Sequence, residues 1–214
     1  MKTHKFVYCL VLATISFFAQ AETNGVWTSH DEFECAMTNA LANAAVLSDS
    51  TFTNQLTRFV DTTTNTDDRA NALLVLVISQ MKRFENTFDY QFYNGALLVS
   101  SNLSSTVNNT TNNWQGVCAE MLLYSCFAMN GQYAAAYATA TNGLDMTQKS
   151  SYQEPTNRIW QAIRENQNTS ELSLCQTFHL AASFSAAKLG LHTEANIHAT
   201  DLPEKYKAII LELL

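Results

Sequence analysis

Turn-forming residues are scarce. Two prolines and six glycines serve 214 residues, too few breakers for an all-β chain of many short strands, and a number that fits helices joined by brief turns. Charge is sparse as well, 14% of residues, with no Lys/Arg cluster anywhere. That makes nucleic acid and anionic membrane surfaces poor partners, because both demand concentrated positive charge. H-E-x-x-H, G-x-S-x-G, a phosphate-binding glycine loop and C-x-x-C-H haem attachment are all missing, so none of the chemistries those patterns carry is indicated, and no cofactor is expected.

The one long apolar run, Phe6 to Phe18, is short for a membrane span. Lys2 and Lys5 precede it and Ala19-Gln20-Ala21 follows, which is the layout of a secretory signal peptide with a small-x-small cleavage site. Residues 1–21 are therefore expected to be removed on export. The mature chain then starts near Glu22 as a secreted or periplasmic all-helical domain, 22–214, with no membrane insertion. Taking Lys2 and Lys5 from the twelve basic residues leaves ten against nineteen acidic ones, a formal charge of −9. An acidic surface of this kind serves solubility.

The apolar residues recur at helical spacing. Ser29 and Glu32 have capping-box spacing ahead of Phe33, Met37, Ala40, Leu41, Ala44 and Leu47. Phe52, Leu56, Phe59 and Val60 mark a shorter helix. Another, capped near Thr66 or Asp67, carries Leu73 through Ile78, apolar on every side, and runs on to Met81 and Phe84. The next opens on the aromatics Phe88, Tyr90, Phe92 and Tyr93. Residues 100–113, SSNLSSTVNNTTNN, read as a polar loop dividing an N-terminal half, 22–105, from a C-terminal half, 112–214; Asn102 and Asn109 begin glycosylation sequons there. From Trp114 to Leu144 two antiparallel helices are expected, the first stopped at Asn130-Gly131 and the second at Asn142-Gly143. Ser151 with Glu154, and Asn168 with Glu171, have capping spacing for later helices; Gly190 ends one of these, and Pro203-Glu204 starts the last. Eight to ten helices and no strand result.

Beyond the signal segment four cysteines remain: Cys35, Cys118, Cys126 and Cys175. An even count in an oxidising compartment suggests disulfides. Cys118 and Cys126 lie on one helix, roughly 12 Å apart along its axis, too far to bond each other. That leaves 35–118 with 126–175, or 35–126 with 118–175. Glu171, Cys175 and His179 share a spacing of one helical turn, but zinc needs further ligands, so no metal site is expected; His192 and His198, six apart, point to different sides. The pairs Asp31-Glu32 and Asp67-Asp68 sit at helix starts, where the helix dipole accounts for them.

Gly131, Tyr133, Ala136, Ala140 and Leu144 resemble the tetratricopeptide pattern of glycine, aromatic, alanine and late Ala-Leu over about one repeat, 117–150. Ala182, Ala186, Leu189, Gly190 and Ala195 form a fainter echo within 176–207. Glu120 stands where the family's early Trp belongs, and no closing Pro follows. The resemblance implies stacked antiparallel hairpins, as a superhelix or an irregular bundle, with the first helix of each pair lining a concave groove. Met121, Ser125 and Met129, with Leu180 and Phe184, would then meet a protein or peptide partner. A helical scaffold binding through that groove is the expected function. An exported helical hydrolase, or a carrier of lipid or another small molecule, is the alternative.

Overall fold

A computed structural model describes residues 27–107, 114–149, 152–165 and 171–214. The segment read as a signal peptide and the positions Asn109, Ser151 and Asn168 lie outside them. Among the described residues the chain is all-α: eleven helices and no strand.

Helix α1 (His30–Leu41) starts where Ser29 accepts the Glu32 amide, while the Glu32 carboxylate reaches back one residue further than expected, to the amide and hydroxyl of Thr28. A break at Ala42 and Asn43 leads to the one-turn α2 (Ala44–Leu47), and α3 (Ser50–Thr62) follows. Asn65 caps α4 (Thr66–Thr87) by accepting the amides of Asp67 and Asp68. Every residue from Leu73 to Ile78 is buried, as a helix enclosed on most faces requires.

α5 (Tyr90–Val107) runs well into the segment read as a loop. Its hydroxyls fold back onto its own carbonyls, Ser104 to Ser100 and both Ser105 and Thr106 to Asn102, and fully buried Leu103 anchors the turn. A polar sequence thus stays helical because its polar groups are satisfied locally. The expected hairpin is present as α6 (Trp114–Met129) and α7 (Tyr133–Thr147). Gly131 takes a left-handed φ of 72°, with its own amide bonded to Ala128 and that of Gln132 to Phe127, the double bond of a Schellman stop. Gly143 is no stop; α7 passes through it.

The later starts also differ from the sequence reading. α8 (Arg158–Glu165) begins beyond Pro155, and Glu154 instead accepts the Leu174 amide at the head of α9 (Leu174–Lys188). Ser173 with Gln176, not Glu171, makes the capping box of α9. Gly190 ends that helix at φ 75°. α10 (His192–Ala199) and α11 (Glu204–Leu211) complete the chain.

Consecutive helices pack as neighbours: α4 on α5, α5 on α6, α6 on α7, then α7 on α9 and α9 on α10. In an open stack each unit touches only its neighbours; here α8 also returns to α1, beside the pairing of Trp160 with Trp114. One buried cluster draws on residues from Phe33 to Ala182, on both sides of the polar stretch. Trp27 closes its N-terminal edge, its ring set edge-on to Phe33 and Phe59, which stack on each other at 4.5 Å.

Candidate functional site

The residues expected to line a groove lie inside the fold. Met121 and Ser125 of α6 are buried, as are Leu180 and Phe184 of α9; Met129 is half-buried against the core. The expected hairpin is present, but α9 packs on it, and α10 and α11 cover Leu180 and Phe184. The same packing makes α6 inward-facing nearly all round, so its sequence gives no sign of which side would be free.

The four cysteines are free thiols rather than the expected disulfides. Cys35 stands on the outer face of α1, where the Asn39 amide approaches its sulfur at 3.6 Å. Cys118 and Cys126 are buried in α6, and Cys175 lies half-buried in the first turn of α9. Burial pushes the Cys126 thiol up to about 12 and raises that of Cys118, so neither supplies a thiolate near neutral pH.

Two features carry chemistry that the fold does not consume. The first is the corner between α4 and α5. Phe88 caps α4 in left-handed backbone, φ 54° and ψ 23°, a position that ordinarily falls to Gly or Asn. A bulky residue there costs about 1–2 kcal/mol. Its ring gains little in return, being 67% exposed, and Tyr90 beside it is 58% exposed. Phe84 and half-turned Tyr93 stand behind them, the rings meeting edge-on or tilted at centroid distances of 5.4 to 6.4 Å. The Arg83 guanidinium lies 4.1 Å over the Phe92 ring. The Tyr90 hydroxyl reaches Asn130 and that of Tyr93 reaches Gln132, tying the corner to the α6–α7 turn. The sequence marked these aromatics as the start of a helix; the exposed left-handed turn between them needed the structure.

The second is a histidine pair. His179 of α9 and His198 of α10 have ring centroids 5.7 Å apart. Asp201, in the turn after α10, sits 3.5 Å from His179 Nε2, and the Tyr137 hydroxyl of α7 is 3.5 Å from His198 Nε2. The Nδ1 atoms of both rings are buried without a hydrogen-bond partner. Burial holds both below the ordinary histidine value; His198 is lowered further by the charge of His179, while Asp201 pulls both back up. Two imidazolium charges at that separation repel by roughly 3 kcal/mol at an effective dielectric constant of about 20.

Sequence spacing had grouped His179 with Glu171 and Cys175. Glu171 instead accepts the Tyr206 hydroxyl at 2.7 Å and pairs with Lys205. The usable signal was the turn: His179 and His198 stand eleven residues before and eight after Gly190, so a hairpin there brings them level. No group of metal-binding side chains occurs among the described residues.

Two hollows lie among the described residues. One, between α4, α6, α8 and α9, is apolar, about 20 Å³, and lined by Leu74, Cys118, Met121 and Trp160 among others; that is space for about one water molecule. The other is an open cleft of about 530 Å³ where α4 begins and α5 ends, lined by Thr63, Thr64, Thr66, Arg69, Ser105 and Thr106. Its lining offers hydroxyls and a guanidinium, with no carboxylate, imidazole or thiol.

Comparison of the chain with family models, with curated proteins and with solved structures gives no match in any of the three.

Proposed function

We propose that this chain is an exported helical scaffold that binds a protein partner, and that the partner docks on the aromatic corner of Phe88 and Tyr90. The observation that carries the reading is Phe88: a large ring in costly backbone, left mostly in water, on a corner braced from behind. Strain that the fold does not need is concentrated where a protein meets something else. Exposed aromatic anchors beside an arginine, ringed by the amides of Asn130 and Gln132, have the composition of a binding hot spot. Export rests on the basic, apolar and small-residue order of residues 2–21.

The carrier alternative gains nothing from the apolar hollow between α4, α6, α8 and α9, whose volume of about 20 Å³ has no room for a lipid. The hydrolase alternative lacks it from the open cleft, whose lining offers no general base.

The test is a differential capture from envelope and secreted fractions. The unaltered chain and a Phe88→Gly, Tyr90→Ser double variant are immobilised side by side, and both are checked for equal thermal stability. A protein retained by the first and lost by the second supports the corner. Equal retention removes the corner from the reading, and capture by neither removes the scaffold.

A further inference from the structure

The last two helices meet the rest of the chain at a seam along α9, with Tyr133 and Tyr137 of α7 at its edge. α10 packs on α9 and α11, and α11 packs on α9 and α10. Their apolar contacts form two small clusters of their own: Leu172, Leu180 and Phe184 with Ala199, Leu202, Tyr206 and Ile210, and Ala186 and Ala187 with Ala195. The main core is a separate cluster, and Tyr137 of α7 packs against both it and the Ala186–Ala195 cluster. The Ser183 hydroxyl donates to the Ala195 carbonyl at 2.6 Å, and Glu171 holds Lys205 and Tyr206. The histidine pair stands in this seam, one ring on each side of it.

We infer that α10 and α11 form a cover over the Leu180–Phe184 face of α9, and that double protonation of the His179–His198 pair releases it. A first proton on His179 is balanced by the Asp201 carboxylate 3.5 Å away. A second, on His198, finds the Tyr137 oxygen as its acceptor and a charged ring 5.7 Å off, in a half-buried seam. The other ionisable groups nearby are engaged elsewhere. Lys205 and Tyr206 of α11 face Glu171, and Lys207 faces Glu204. Lys188 of α9 lies over the Phe184 ring. Tyr133 of α7 packs edge-on to the same ring, and Tyr124 of α6 is buried beneath α9 near Ser185. His192 and Glu194 stand on the exposed first turn of α10.

The sign follows from burial. Both rings hold folded-state values under the ordinary 6.5, so the closed seam is fully favoured above that pH and weakens as pH falls through it. The Glu171 fastening has a lowered carboxylate value and is lost only below the ordinary 4.5. Between the two, the titration facing the seam is that of the histidines. The cover is independent of which molecule the scaffold holds.

Amide hydrogen exchange on the full chain, from about pH 7.5 to about pH 5 and corrected for intrinsic rates, reads the release directly. Protection across 192–211 should drop about ten-fold or more relative to 70–81 in the core of α4. His198→Gln should hold it flat. Asp201→Asn, a change at a side chain 63% exposed, removes the balance for the first proton and should move the drop to higher pH. The inference is overturned by a drop shared equally with 70–81, by one that survives His198→Gln, or by one that Asp201→Asn leaves in place or moves down. Where His198→Gln does not fold, the direction of the Asp201→Asn shift decides.

Discussion

Phe178 of α9 occupies the space in which a side chain on Gly143 would stand: a Cβ built there falls 2.2 to 2.7 Å from three atoms of its ring. The glycine that looked like a helix end is a contact point between α7 and α9. Phe178 is fully buried, so its ring has nowhere to retreat. Gly143→Ala should destabilise the chain by about 3 kcal/mol, against the normal helical gain from alanine. Chemical denaturation measures it. A stability equal to or above the parent would mean the two helices sit further apart than described.

Phe88→Gly should act in the opposite sense. Glycine removes the left-handed penalty of about 1–2 kcal/mol, and what is lost is an edge contact with Phe84 at 6.4 Å in a ring mostly surrounded by water. The expected outcome is a midpoint equal to or higher than the parent, with partner binding reduced. A loss of more than about 1 kcal/mol would make Phe88 a packing residue and take away the argument for a binding corner.

Most helices were legible in the sequence because the apolar spacing of Phe33 to Leu41, Phe52 to Val60 and Leu73 to Ile78 is local information, and so are the stops at Gly131 and Gly190. Three features were not legible in the same way. Ser100 to Val107 reads as a loop by composition, yet its hydroxyls have their own carbonyls to bond. Gly143 reads as a terminator unless Phe178, thirty-five residues on, is known to need its space. Leu180 and Phe184 read as a free groove until α10 and α11 are placed over them. The histidine pair belongs to the same class, because spacing along one helix groups His179 with Glu171, while the turn at Gly190 groups it with His198.

The thiols give a prediction that separates the structure from the disulfide expectation. Cys35 is exposed and should react with a thiol reagent within the dead time of mixing at mildly alkaline pH. Cys175, half-buried, should follow more slowly. Cys126, with a value near 12, and Cys118, fully enclosed, should wait for unfolding. Reagent titration with and without denaturant, before any reductant, counts them. A native count of zero for Cys35 together with a denatured count of zero would establish the disulfides instead.

His30 and the His179–His198 pair should titrate on opposite sides of a free histidine. His30 Nδ1 lies 2.7 Å from Asp68 Oδ1, and that hydrogen bond, aided by the carboxylate's charge, raises the ring above the ordinary 6.5. Its contribution is therefore complete below pH 6.5 and is lost as pH climbs through the raised value. His30 is more than half exposed, so solvent screening keeps that contribution to a fraction of a kcal/mol. The pair in the α9–α10 seam is lowered by burial and contributes in the other direction, complete above 6.5 and lost on acidification. Mild acid thus tightens the α1–α4 junction while it loosens the seam. Imidazole proton resonances followed against pH should give one midpoint above 6.5 that falls back in Asp68→Asn, and two below it that do not. A single common midpoint for all three rings would remove the electrostatic asymmetry, and with it the basis for a seam that opens on acidification.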